Sequence, residues 1–524
     1  MNFLDELKRV NNQTVTENGA GALRSTMNAC LDAFGSLAAM RFASDDEIIK
    51  TFLNAFWEDR ALAMRLLFYV RDVRGGQGMR RVFRVIVQWL ADYAPEYVVN
   101  NLDNFLVYGR GDDILCLLNT GIKDDVIQWA KKQLCKDLND CSNGRTCSLL
   151  AKWLPSENAS SQTTRKLARE FIAGFGITAR AYRIMLSRLR NYLKVVECKM
   201  SANEWDEIDY NIVPSKAGMK YSHAFVTHDA DGYVSWLTGL ADGSAKVNAK
   251  ALFPVDIIHK VMRNGDTMHD RVLYDAMWKA LPNYFGDTEE TGLCVVDTSG
   301  SMYGLPMEVA ISLGIYCADK CRGPFAGHFI TFSAEPQLQQ IKGKDIRDKA
   351  FSVYDADWGM NTNLEAVFDL ILKTAKGCNT PAEDMPKKLY IISDMQFDQA
   401  RLQEAVFYDY IRRKYVYSNV DSFMETMRQK YAAAGYEMPI IVYWNVRGSR
   451  CGMFQATYEG EQCCMVSGYS PSLFKAILDG TTYEEVETVD AEGNTVTTVK
   501  ETVDPMTVML TTLNGERYAP VWAG

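Results

Sequence analysis

The chain has 524 residues, 47% of them apolar, and a formal charge of −9. That length exceeds one ordinary domain and can bury large cores. The charge excludes a histone-like, wholly basic nucleic-acid binder, although the acid excess lies in the second half and the first half is neutral.

No apolar run reaches the roughly 18 residues of a membrane span, and Met1 to Val10 lacks the pattern of a signal peptide. The 13 cysteines are scattered, as buried thiols of a reducing compartment would be. Cys135, Cys141 and Cys147 lack the close pairing of zinc sites. These features lead us to expect a cytoplasmic protein with no membrane partner.

In chain order, the polar stretch Asn11 to Gly21 is too rich in Gly and Asn for a helix. Apolar periodicity near 3.6 then runs to about residue 200, with short Gly- or Pro-bearing joints such as Arg74-Gly75-Gly76-Gln77-Gly78. Helices of this length with short joints predict antiparallel pairs stacked as an α-solenoid of HEAT-like repeats or a ring. That joint lacks the preceding strand and the Lys-Ser/Thr of a phosphate-binding loop, so it reads as a helix–helix connection. Ile208 to Tyr221 reads as an extended crossing segment, and Ala224 to Gly239 and Pro254 to Leu281 as helix.

The second half alternates in type, as a doubly wound sheet should. Strands are expected at Leu293–Val296, Gly327–Phe332, Lys388–Ser393, Pro439–Val446 and Gln462–Ser467. Helices are expected at Pro306–Cys321, Asn363–Lys376, Gln399–Ala434 and Pro471–Leu478. Thr482 to Thr502 alternates Val and Thr about Glu492-Gly493-Asn494, the pattern of a β-hairpin arm. Pro505 to Trp522 is expected to pack back on the helical module. The fold class is α plus α/β, with a helical module at 1–289, a Rossmann-like domain at 290–480 and an arm and tail at 481–524.

The apolar run Leu293–Val296 ends abruptly in Asp297-Thr298-Ser299-Gly300-Ser301. One carboxylate and two hydroxyls at the carboxyl end of a strand offer oxygen ligands suited to a hard cation. The plain alternative is a turn whose serines cap the next helix. The loop resembles the metal-ion-dependent adhesion site of von Willebrand factor A (vWA) domains. Two further loops of that family look present, Trp358-Gly359-Met360-Asn361-Thr362 and Ser393-Asp394. Many members carry Gly-Gly-Thr where this chain has Met360-Asn361-Thr362. The resemblance implies that Ser299, Ser301 and Thr362 contact Mg²⁺ or another divalent cation directly, with Asp297 and Asp394 acting mainly through water. It also implies an open position for a partner's carboxylate.

A helical module followed by a vWA domain is the layout of the Ro autoantigen proteins, whose first module is called TROVE. A closer resemblance is to domain-of-unknown-function family 2828. Phe68 to Gly78, Tyr108 to Asp113, Lys152 to Asn158, Val213 to Ala217 and Tyr443-Trp444-Asn445 carry it. Through the Ro layout it implies binding of small structured or single-stranded RNA.

Two basic clusters suit that role, because Arg grips phosphate and stacks on bases. One contains Arg71, Arg74, Arg80, Arg81 and Arg84, and the other Arg180, Arg183, Arg190 and Lys194. Solvated helix faces paired with acids are the plain alternative. None of the five histidines sits in a catalytic motif, so a non-catalytic RNA-binding protein is expected. The second reading is a protein scaffold whose metal site binds an acidic partner residue, and the third a metal-dependent nuclease.

Overall fold

The computed structural model describes residues 11–264, 267–288, 291–332, 335–356, 362–398, 405–409, 414–417, 420–448, 453–489 and 495–524. Contacts divide the chain into two compact units. One joins Met1–Leu62 to Leu252–Gly515, and the other joins Ala63–Ala251 to Glu516–Gly524.

The sheet unit begins with a small antiparallel hairpin, β1 (Gln13–Val15) and β2 (Gly21–Leu23), and helices Ala29–Phe34 and Asp45–Glu58. Ser44 and Glu47 close a capping box at the start of the second helix. Strands β3 (Gly292–Val296), β4 (His328–Thr331), β5 (Leu338–Gln340) and β6 (Lys388–Ser393) follow. The hairpin β7 (Ala405–Asp409) and β8 (Lys414–Tyr417) comes next, then β9 (Ile440–Asn445), β10 (Cys463–Ser467) and the hairpin β11 (Thr482–Val489) and β12 (Thr495–Thr502). The main sheet has the order β10-β9-β6-β3-β4-β5, parallel except for β5. β3 and β6 are buried throughout, which is why they read as unbroken apolar runs.

The chain leaves β3 for β4 on one side and returns to β6 on the other. The carboxyl ends of β3 and β6 therefore flank the switch point, where open α/β sheets bind ligands. The helix Leu305–Lys320 lies tight on β3: a Cβ at Gly314 would come within 2.6 Å of the Val296 side chain.

The helical unit is built from short and medium helices between residues 63 and 242. The Arg74–Gly78 joint is a tight turn in which a Cβ at Gly76 would lie 2.0 Å from the Tyr69 carbonyl oxygen. Residues 516–524 complete this unit. Arg517 and Tyr518 bond the buried Asp72, and Trp522 exchanges hydrogen bonds with Asn101 and packs on Tyr97.

The coarse expectation of a helical part and a mixed sheet with parallel strands holds, but four details differ. The compact division does not fall at 289/290, because helices Pro254–Asn264 and Met268–Lys279 bind the sheet unit. His259 bonds Glu308, and Arg271 bonds Asp345 and Asp348. Among the described residues of the expected helix Gln399–Ala434, those from Val420 to Ala433 are helical and Ala405–Asp409 and Lys414–Tyr417 are strands. The preceding β7 and β8 are rich in Val, Phe and Tyr, which favour strands. The expected extended segment Ile208–Tyr221 instead starts a helix at Ser215, with Pro214 holding the extended conformation that precedes a helix. Of the expected docking tail, Pro505–Leu513 belongs to the sheet unit and only 516–524 to the helical one. Met1 to Val10, Trp358 to Asn361 and the Glu492-Gly493-Asn494 turn lie outside the described residues.

Candidate metal centre

β3 delivers Asp297 into the switch-point crevice with its side chain fully buried. Its backbone N–H still donates to Ile392 of β6, so the carboxylate is held on a rigid strand end. One carboxylate oxygen accepts from the Ser299 N–H at 2.8 Å, and the other from the Ser393 hydroxyl at 2.6 Å. The Ser299 and Ser301 hydroxyls lie 3.0 Å apart. Ser301 in turn bonds the carboxylate of Asp394, which follows β6 and also accepts from the Gln396 N–H at 3.2 Å.

Thr362 joins the same network from the other side. Its hydroxyl donates to the Gln396 carbonyl at 2.8 Å, and its N–H donates to Asp398 at 2.8 Å. Hydrogen bonds and the 394–398 loop thus link Asp297, Ser299, Ser301, Thr362 and Asp394.

Two buried carboxylates shape the electrostatics. Burial pushes the Asp297 carboxyl up to about 6, and the charge of Asp394 adds to the rise. Burial also raises Asp394, against the bonds from Ser301 and Gln396 and the positive charge of Arg447. The Thr298 hydroxyl on the same loop is buried without a hydrogen-bond partner. Among the described residues no group of three or more His, Cys, Asp or Glu is placed to hold a metal. This donor set is of another kind, two carboxylates and three hydroxyls, and all-oxygen ligands fit a hard divalent cation.

Several contributors were not anticipated from sequence. Asn18, in the β1–β2 turn, donates to the Gln396 carbonyl at 2.8 Å and approaches the Thr362 hydroxyl at 3.4 Å. Glu17 and Thr16 bond Gln396 and Phe397. Ser393 and Asp398 complete the support. The only sequence signal was the turn-like Thr16-Glu17-Asn18-Gly19, which says nothing about its distant partner. At the rim, Tyr303 is 86% exposed, two residues beyond Ser301.

The description of a domain of unknown function, DUF7788, matches residues 291–513, and that of DUF2828 matches 16–114 and 147–284. Uncharacterized protein L728 of Acanthamoeba polyphaga mimivirus is 31% identical over 506 residues, covering 89% of this chain and 85% of that protein. The chain belongs to the same family as that viral protein. The DUF2828 match spans the Phe68–Gly78, Tyr108–Asp113, Lys152–Asn158 and Val213–Ala217 motifs that suggested it.

In this DUF2828-type chain the two basic clusters do not stay intact as surface. Arg71 is buried and bonds Asp113 at 2.7 Å, so it is a core residue and not an RNA contact. Its place on the apolar face that also carries Met64, Leu67 and Phe68 explains this. Arg84 bonds Asp113 and Asp112, and Arg190 donates to the Ala151 and Leu154 carbonyls and the Ser156 hydroxyl. Both are spent on holding the helices together. Arg183 is exposed but pairs with Glu157, and Arg80 lies 3.9 Å from Asp112. Arg74 is exposed and donates to the Val107 carbonyl. Arg81, Arg180 and Lys194 are exposed. Among the described residues no helix is long and apolar enough to cross a membrane.

Proposed function

We propose that this chain is a non-catalytic, divalent-cation-dependent binding protein whose sheet unit is a vWA domain. Asp297, Ser299, Ser301, Thr362 and Asp394 would hold Mg²⁺, and the bound cation would supply a Lewis-acid contact for an acidic residue of a partner protein. The observation that carries this reading is the convergence of two buried carboxylates and three hydroxyls at the switch point of the sheet. Two buried carboxylates, both raised by burial and one raised further by the charge of the other, are stabilised by a bound cation. The exposed Tyr303 beside the loop gives a partner an aromatic anchor of the kind that dominates protein interfaces. Calorimetry with Mg²⁺ and Mn²⁺ tests the reading. Wild-type protein should show one saturable site and Asp297→Ala none, and equal binding by the two would sink it.

A second reading, RNA binding by stacked HEAT-like helices of Ro type, is favoured by one exposed surface. Lys166, Arg169, Arg180 and Lys194, on or next to helices Gln162–Phe175 and Ala179–Tyr192, are exposed and form no ion pair among the described residues. Ile184 on the same helix pair is 59% exposed. Phosphate contacts from such a face give binding that weakens steeply with salt. Filter binding of mixed small RNAs at two salt concentrations checks it, and Arg180→Glu with Lys194→Glu should abolish retention. Retention unchanged in that double variant would remove the RNA reading and leave the metal reading untouched.

A further inference from the structure

Beside the metal loops, and sharing Asp394 with them, a cleft opens between the carboxyl ends of β6 and β9. Asp394, Met395 and Gln396 form one wall and Asn445 and Arg447 another. Met40, Met453, Gln455 and Met465 close it. All of these residues belong to the sheet unit.

Three features of this cleft call for a ligand. The half-buried Arg447 guanidinium makes no hydrogen bond or ion pair among the described residues; only its backbone N–H is engaged, by the Asn445 side chain. Gln455 is 6% exposed, and its Nε2 is buried without an acceptor. A buried donor without a partner costs on the order of 1–3 kcal/mol, so something that accepts hydrogen bonds is missing from it. Finally, Met395 is buried with a left-handed backbone, φ 63°, a conformation that a side chain as long as Met rarely adopts. Such outliers cluster at ligand clamps.

The polar groups left without a partner are donors, the positive Arg447 offsets the Asp394 carboxylate that lines the same cleft, and four methionines lie among the remaining residues. Thioether side chains repack around small apolar groups at little cost. The free space is narrow, enough for a few heavy atoms and too small for a nucleotide. We propose that this cleft binds a short carboxylate, its oxygens taken by the Arg447 guanidinium and the Gln455 amide and its carbon stem by the methionines. Arg suits this task because its planar fork matches a carboxylate in two parallel hydrogen bonds. The carboxylate could come from a free organic acid or from a Glu side chain of a protein, and the chemistry of recognition is the same. The inference rests on the cleft alone and does not require the metal.

Methionine-methyl NMR of the full-length protein in EDTA tests it. Propionate and N-acetylglutamate α-amide are titrated separately, with propionamide as the uncharged match. Saturable shifts of the Met395 and Met453 methyls by either carboxylate, and not by propionamide, are expected. Binding by propionate alone identifies a free acid as the ligand class, and binding by the glutamate derivative identifies a side chain. Arg447→Met should weaken the affinity at least about tenfold, and Gln455→Leu about threefold to tenfold. Should Arg447→Met lose its native methyl dispersion, Arg447→Lys keeps the charge without the fork and should still bind several-fold more weakly. Equal binding of propionamide, or unchanged affinity in the folded Arg447 variant, overturns the proposal. Carboxylate binding that appears only when Mg²⁺ replaces EDTA overturns it too, while supporting the separate metal reading.

Discussion

Arg71 takes its charge into the interior of the helical unit, and the consequences are those of a buried ion pair. Its guanidinium and the Asp113 carboxylate are both removed from water, with Arg84 as a second donor to Asp113. Removing one partner of such a pair strands the other, at about 3–5 kcal/mol. Because Arg84 remains, Arg71→Met should fall at the low end, about 3 kcal/mol by urea denaturation. The double variant Arg71→Met/Asp113→Leu should recover most of that loss, since a well-packed apolar pair can replace a buried ion pair. No recovery would show that the bond geometry and not the stranded charge sets the cost. The metal residues were legible because an apolar run stopping at a carboxylate and hydroxyls is a local pattern. Asn18 was not legible, because it reaches Gln396 from far along the chain and nothing local marks it. Arg71 was legible in principle: its place three residues after Phe68 and four after Leu67 puts it on the buried stripe.

Elements show where local preference sufficed and where it did not. β3 and β6 were readable as continuous apolar strands, and Asn363 was readable as the start of the helix Leu364–Cys378, whose Ala366 N–H it caps. The stretch from Gln399 was misread because helical spacing in a Tyr- and Val-rich segment is also compatible with a hairpin. Helix Met268–Lys279 is tied to helix Ile346–Tyr354 by Arg271, which bonds Asp345 and Asp348. Burial raises the Asp345 carboxyl, but the Asp348 N–H and the Arg271 guanidinium outweigh it and hold the group below the usual carboxylate range. A depressed carboxylate contributes stability that is present above its unfolded value and lost as pH falls through its folded value. Arg271→Ala should therefore cost roughly 1 kcal/mol or less at pH 7, discounted for the partial exposure of the pair. The gap between variant and wild type should narrow as pH falls below the usual carboxylate value of about 3.9; a gap that does not change with pH across the acid range would falsify the pairing as its source. The C-terminal peptide is the second element to test. Deleting residues 516–524 strands the buried Asp72 without its Arg517 and Tyr518 partners. Hydrogen exchange should accelerate across Tyr97–Tyr108 while the β3 and β6 amides keep their protection. Loss of protection in both units together would mean that the peptide does more than complete the helical one.

At the scale of the whole molecule, neither unit is a contiguous piece of chain. Family descriptions break near 284 and 291, yet compact structure breaks at 62/63, 251/252 and 515/516. The two kinds of boundary differ because residues 16–62 pack with the sheet: Leu23 pairs with Phe454, and the Ser467 hydroxyl donates to the Phe34 carbonyl. A fragment of residues 290–524 should lack cooperative thermal unfolding and near-ultraviolet circular dichroism. A fragment that unfolds in one sharp step would show that the first 62 residues are dispensable to the sheet. The same interleaving imposes an order of events during synthesis. The residues that cover the switch-point loops leave the ribosome first, and the strands they cover follow hundreds of residues later, on the order of tens of seconds at typical elongation rates. The helical unit waits longer still, for residues 516–524. Until those residues emerge, the ribosome carries two unfinished cores, and both close within a few residues of each other.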